Sequence, residues 1–201
     1  MKKLLYTLLA VSLIFSACEE EDAAPNTNNN SNSALSIGDT HQGGIIFYLD
    51  GNGGGFVAAP SDQGEAEWGC PGITISGADG TAIGTGNQNT IDILAGCNDS
   101  GTAADICKNL TLGGYSDWFL PSINELNEMY VNLFLQELGN FGDLIPNYDN
   151  WYWSSTEDDF NSGGARGATG QDFHIGWIGT LDGQLNGDKF GNMYVRAIRA
   201  F

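Results

Sequence analysis

The chain has 201 residues, with 25 Asp and Glu against seven Lys and Arg, and a formal net charge of −18. A field of that sign repels nucleic acid, heparin-like polymers and anionic lipid, so no nucleic-acid partner is expected. The length suits one domain with a self-sufficient core, and 29 glycines, all beyond residue 34, favour tight turns and long loops over helical bundles.

Lys2 and Lys3 open the chain, and residues 4–15 form a nearly unbroken apolar run of twelve. As a helix that run is too short to cross ~30 Å of hydrocarbon, so residues 1–17 read as an export signal. Phe15-Ser16-Ala17-Cys18 resembles the lipobox of bacterial lipoproteins, with Phe15 in place of the usual Leu. The resemblance implies that Cys18 is lipidated and ties the protein to the membrane. Glu19 to Asp22 resembles the acidic tags that send some lipoproteins to the outer face of the outer membrane, so a cell-surface location is expected. The rest of residues 18–34 is Asn- and Ser-rich with nothing to bury, a predicted disordered tether. Its eleven-residue core would span about 20 Å on average.

The folded domain is expected over residues 35–201. Residues 44–49 (GIIFYL) and 55–59 (GFVAA) flank a Gly-rich stretch and predict a β-hairpin. Residues 61–94 hold seven glycines and few apolar clusters, which predicts a long ordered loop with a job or a staple. Thr102 and Asp105 form a capping pair before Ala103, Ile106, Cys107 and Leu110, a short helix with Cys107 on its buried face.

Residues 113–130, GGYSDWFLPSINELNEMY, carry the strongest local signal. Pro121 forces Leu120 to be extended, and Ser122 with Glu125 makes a capping box. Ile123, Leu126, Tyr130 and Leu133, with Met129 and Phe134, then form one apolar stripe of a helix. Beyond it, Trp151 to Thr156 predicts a strand with one buried face, residues 157–170 a polar loop, Phe173, Ile175 and Trp177 an alternating strand, residues 182–191 a hairpin connection, and residues 194–201 a closing strand. Strands, two short helices and strands again make an α+β pattern.

FYLDGNGGGFVAAP, GTGNQNTIDI, GGYSDWFLPSINELNEMY, YWSSTE and VRAIRAF resemble the successive motifs of the Lcl C-terminal domain family over residues 35–201. The resemblance implies a C-type-lectin-like fold, a small twisted antiparallel sheet with two short helices and long Gly-rich loops. It also implies a non-catalytic domain binding a glycan or protein, as some family members at the ends of surface adhesins do.

Catalytic patterns are thin. Ser116 lacks the glycine frame of a nucleophile elbow, and His41 and His174 have no metal-ligand spacing around them. Asp182, Gln184, Asn186 and Asp188 imitate the opening of a calcium loop, but Met193 stands where its acid belongs. No resident cofactor is therefore expected. The candidate ligand site is Trp151 with Glu157, Asp158, Asp159 and Asn161, an aromatic ring beside acidic oxygens that suits a neutral sugar, directly or through calcium. Few cations are present to serve a sulfated ligand, and at least one of Arg196 and Arg199 is expected to face a structural partner. An enzyme acting on envelope polymers and a purely structural lipoprotein are the alternatives. In an oxidising compartment two of the remaining cysteines should pair. Cys97 and Cys107 are the expected bridge and Cys70 and Cys97 the alternative, the former because the short approach to the Cys107 helix can fold back over it.

Overall fold

The computed structural model describes residues 34–142, 150–158, 167–174 and 184–201. The chain divides into Met1–Ala34 and Leu35–Phe201, and the architecture of the second unit is α+β.

The hairpin forms as its sequence requires. β2 (Gly44–Leu49) and β3 (Gly55–Ala58) pair antiparallel, and Asp50 Oδ1 closes the turn by accepting from the N–H groups of Asn52 and Gly54 at 2.7 and 3.0 Å. β1 (Thr40–His41) adds to one side of this pair and β9 (Ile198–Ala200) to the other. A second sheet has the order β4 (Glu65–Ala66), β8 (Met193–Tyr194), β5 (Trp151–Asp158), β6 (Gly167–Asp172) and β7 (Gln184–Asp188). Its β5–β8 pairing is parallel. The expected single antiparallel sheet is thus two small sheets, one of them mixed.

The expected closing strand is split between them. β8 belongs to the second sheet, β9 to the first, and Val195, Arg196 and Ala197 cross between the two fully buried. Their backbone is held by residues 59–64: Ala59 N–H donates to Ala197 O, Gln63 N–H to Val195 O and Val195 N–H to Gly64 O, each at 2.9 Å. A buried segment needs every peptide group paired, and this antiparallel neighbour supplies the partners.

Alternation along the strands explains the two cores. Ile46 and Val57 enter a core built on Trp68, Trp118 and Trp153, while their neighbours Phe47 and Ala58 enter another built on Phe119, Tyr130, Tyr152 and Phe173. The Trp151 to Thr156 run is therefore buried on both faces, not one: Tyr152 and Trp153 are adjacent in sequence and both inaccessible.

Three α-helices stand among the described residues where two were expected. α3 (Ile123–Asn132) starts with the foreseen capping box and buries Ile123, Leu126, Met129 and Tyr130. α2 (Ala103–Lys108) is capped by Thr102 and buries Cys107. The unforeseen α1 (Gly86–Gly96) begins inside the presumed long loop, which also holds β4. Its buried face carries Gly86, Asn89, Thr90 and Ile93, and its N-cap Thr85 makes no side-chain cap. Neither apolar periodicity nor a capping signature announces it. Residues 167–170 and Gln184–Asp188 are strand where loop and hairpin connection were expected.

The disulfide joins Cys70 to Cys97, with Cα atoms 5.6 Å apart, and this corrects the expected Cys97–Cys107 pairing. The helix not foreseen is the reason. α1 ends at Gly96, so Cys97 is its C-cap and is carried to Cys70, where Asp99 Oδ2 also accepts from Cys70 N–H at 2.6 Å. Cys107 points into the tryptophan core as a buried thiol whose pKa burial drives far up.

Candidate functional site

The end of β5 and the segment 73–84 face each other across a cleft of about 480 Å³. Residues 73–84 carry no regular structure before α1, so their position depends on what they are tied to. β5 supplies one set of ties. Glu157 N–H donates to Ala78 O at 2.7 Å, and Thr156 Oγ1 donates to Gly80 O at 2.8 Å while accepting from Ile123 N–H at 3.1 Å. Both carboxylate oxygens of Glu157 accept from Ile75 N–H, at 3.0 and 2.9 Å.

Lys189 completes this anchor. Its ammonium is wholly buried, pairs with Glu157, donates to Ile73 O at 2.7 Å and lies 4.3 Å from the Trp68 ring centre. A buried charge survives only when paired and hydrogen-bonded, and both members of this pair are.

The far side of the segment is tied to helices. Asn89 on α1 brackets Gly80, donating to its carbonyl at 2.7 Å and accepting from its N–H at 3.2 Å. Ser122 Oγ donates to Ala82 O at 3.0 Å. Glu125, inaccessible to solvent, accepts from Ser122 N–H and Gly84 N–H, each at 2.7 Å, and so serves the starts of α3 and α1 together. Burial raises its pKa while those N–H groups pull it down, and the net shift is upward. Gly86 is required here: a Cβ on it would fall 2.3 Å from Glu125 Oε2 and 2.7 Å from Ser122 N.

The cleft rim is polar and exposed, with Thr74, Ser76, Asp79 and Thr81 on one side and half-buried Asp158 and Thr169 on the other. Buried Ile75, Thr156 and Glu157 form its floor. The nearby ammonium of Lys189 is already spent on Glu157 and Ile73, so the chemistry offered at the rim is hydroxyl and carboxylate oxygen. Such a surface accepts from and donates to hydroxyl groups.

Of the candidate residues, Asp158 lies at this cleft. Glu157 does too, but it is strand rather than exposed loop, and its carboxylate is committed to Lys189 and Ile75. Trp151 does not join them. It stands at the opposite end of β5, half-buried and paired with Asp172, about 20 Å away at ~3.3 Å per strand residue. Asp159, Asn161 and Cys18 lie outside the described residues, as do Ile175 and Trp177. His41 packs edge-on against Phe201 with ring centres 4.6 Å apart, and His174 takes a Tyr130 hydroxyl on its backbone carbonyl. In the calcium-like stretch, Gln184–Asp188 is strand β7 paired with β6.

Sequence reasoning missed the 73–84 wall itself. Its glycine-rich composition signalled a loop, and the acids across from it were assigned without their partner. A second set of possible metal ligands, Cys70, Cys97 and Asp99, has both sulfurs in the disulfide and offers no thiolate. No protein-family model matches the chain, and no curated protein matches its sequence.

Proposed function

We propose that this protein is a surface lipoprotein, held in the outer membrane through Cys18, whose Leu35–Phe201 unit is a non-catalytic binding domain for a neutral glycan. The observation that carries the reading is the cleft between β5 and residues 73–84: open, rimmed by hydroxyls and carboxylates, and pinned by hydrogen bonds on both sides. A preformed polar cleft binds without first ordering its wall, which keeps the entropic cost low. Ile73, whose carbonyl takes the Lys189 ammonium, and Phe190, next to Lys189 in sequence, are both exposed, and Phe190, 58 % exposed, offers a ring on which a sugar face can stack. The net charge of −18 disfavours sulfated ligands.

The lectin-like fold and kinship with the Lcl C-terminal domain belong to this proposal; the ordered motifs and the α+β architecture support them. The non-catalytic reading is supported by the state of Glu157 on the cleft floor. A paired-carboxylate hydrolase needs one free carboxyl to carry a proton, and Glu157 is held by a cation and a backbone N–H. The test is a glycan array probed with the full-length chain, with and without calcium, alongside Asp158→Ala and Phe190→Ala. Binding to neutral glycans that both substitutions weaken, with unchanged melting temperature, is expected. Salt-sensitive binding to heparin, or turnover of an envelope polymer, would overturn the reading. Metabolic labelling with a palmitate analogue checks the anchor: label is expected on the native chain and absent from Cys18→Ser.

A further inference from the structure

We propose that the cleft runs on into an amide-recognising subsite made by Gln171 and Asn127, and that its ligand is a glycan carrying N-acetylated sugars. This rests on the reading of the cleft as a glycan site and names the sugar class.

Side-chain alternation along β6 supplies the placement. Ala168 belongs to the tryptophan core, and a Cβ on Gly170 would lie 2.9 Å from Met193 Sδ, so both turn to one face. Thr169, Gln171 and Phe173 turn to the other. Thr169 lines the cleft, while Phe173 is buried with its ring centre 4.4 Å from that of Tyr152 and 5.3 Å from that of Tyr130. Gln171 stands between them, about 7 Å along the strand from Thr169, just beyond the residues that line the cleft. α3 runs past the same place. Asn124 N–H donates to Thr81 O at the cleft edge at 3.2 Å, and Asn127 lies one turn further on.

Gln171 Nε2 donates to Asn127 Oδ1 at 3.2 Å. The residue is only 4 % exposed, and its Oε1 has no hydrogen-bond partner. A buried carbonyl oxygen without a donor is costly, and native structures retain few of them. Turning both carboxamides over would exchange donor and acceptor and still leave one buried amide atom unpaired, so the deficit belongs to the pair. A secondary amide carries one N–H and one C=O and answers it in either orientation. A sugar acetamido group and a peptide bond both have this chemistry. The hydroxyl-rich rim, with Thr74, Ser76 and Thr81 exposed, favours the sugar, whose remaining groups are hydroxyls.

The test titrates the full-length chain with four probes of equal length: β-1,4-linked tetramers of N-acetylglucosamine, glucosamine and glucose, and tetra-alanine. The N-acetylated tetramer should bind about tenfold or more tighter than the glucose tetramer, the effect of one buried hydrogen bond. Gln171→Met should erase that preference, keep glucose-tetramer affinity within about twofold, and leave the melting temperature unchanged or raised, because it removes an unpaired buried group. A merely structural role would weaken both sugars together. Should Gln171→Met fail to fold, Asn127→Ala at the half-buried partner carries the same expectation. Equal affinity for the three sugars overturns the subsite and leaves the cleft reading standing. Preference for the glucosamine tetramer assigns recognition to the Asp79 and Asp158 charges, and preference for tetra-alanine assigns it to peptide; either overturns the proposal. Silence from all four probes together with a blank glycan array overturns the cleft reading as well.

Discussion

Two buried cations hold two different parts of this molecule. Arg196 sits in the segment that crosses between the sheets. Its guanidinium reaches Asp62 at 2.6 Å and the carbonyls of Ala59, Gly139 and Asn140 at 2.9, 2.7 and 3.0 Å, and its plane lies 4.1 Å from the Phe141 ring centre. Lys189 instead reaches Glu157 and the single carbonyl of Ile73. The difference follows from the side chains. A planar fork with five donors can satisfy several distant chain segments at once, whereas a compact ammonium serves as a point anchor. Arg196 thus joins elements that define the fold, and Lys189 fixes one wall of the cleft to the strand opposite.

That contrast can be broken by removing each cation. Arg196→Met should be the most damaging change, about 4 kcal/mol, because it leaves Asp62 with its buried partner gone and three carbonyls unserved. Denaturant unfolding should show it as a global loss; a cost below about 1 kcal/mol would mean that the crossing is held by its backbone bonds alone. Removing the disulfide with Cys70→Ser and Cys97→Ser together should cost about 3.5 kcal/mol, the chain-entropy value for the 27-residue separation. Non-reducing peptide mapping should show Cys70 linked to Cys97, and a Cys97–Cys107 link would overturn the arrangement described.

Lys189→Met should cost about 3 kcal/mol, since Glu157 would be left as a buried unpaired carboxylate. Its signature should be local: faster amide hydrogen exchange at residues 73–80, with the β2–β3 hairpin unchanged. Uniform acceleration across both would show that the anchor belongs to the global fold after all.

Arg199 supplies the mildest case. It pairs with Asp117, which is 61 % exposed on its side chain, and stacks 3.8 Å from the Tyr115 ring centre. The hydrogen bond from Arg199 holds the Asp117 pKa below its ordinary 3.8, with burial opposing. A carboxyl whose pKa is depressed on folding stabilises the protein above the unfolded value and loses that contribution as pH falls through the folded one. Because solvent screens the pair, Asp117→Asn should cost less than about 1 kcal/mol at neutral pH. Its difference from the native chain should vanish as pH falls through the depressed folded-state pKa of Asp117. A difference that persists there would locate the effect in packing against Tyr115 instead.

Legibility in the sequence tracks the same division. The capping box of Ser122 and Glu125, the apolar stripe of α3, the Thr102 cap and the hairpin over Gly44–Leu49 and Gly55–Ala58 were all readable, and each formed as expected. Each signal is carried by residues within a few positions of one another, so local sterics and hydrogen bonding decide it. α1 was not readable because its buried face is Gly86, Asn89 and Thr90, residues that become a core face only when Gly80, Leu120 and Ser155 lie opposite to bond them.

Glu125 shows both levels in one residue. Three positions from Ser122, it announced a helix start; that it also receives Gly84 across 41 residues could not be known from spacing. The same holds for Glu157, whose composition suggested a solvated loop until Lys189 and Ile75 were brought to it. Trp151 was grouped with Asp158 by proximity in sequence, yet an extended chain carries residues apart at ~3.3 Å each. What the sequence determined by itself is therefore the set of pieces whose hydrogen bonds close within a turn or a hairpin. Cysteine pairing, the division of the last strand between two sheets, and the cleft were decided only by tertiary structure, because each depends on partners tens of residues away whose approach no local pattern encodes.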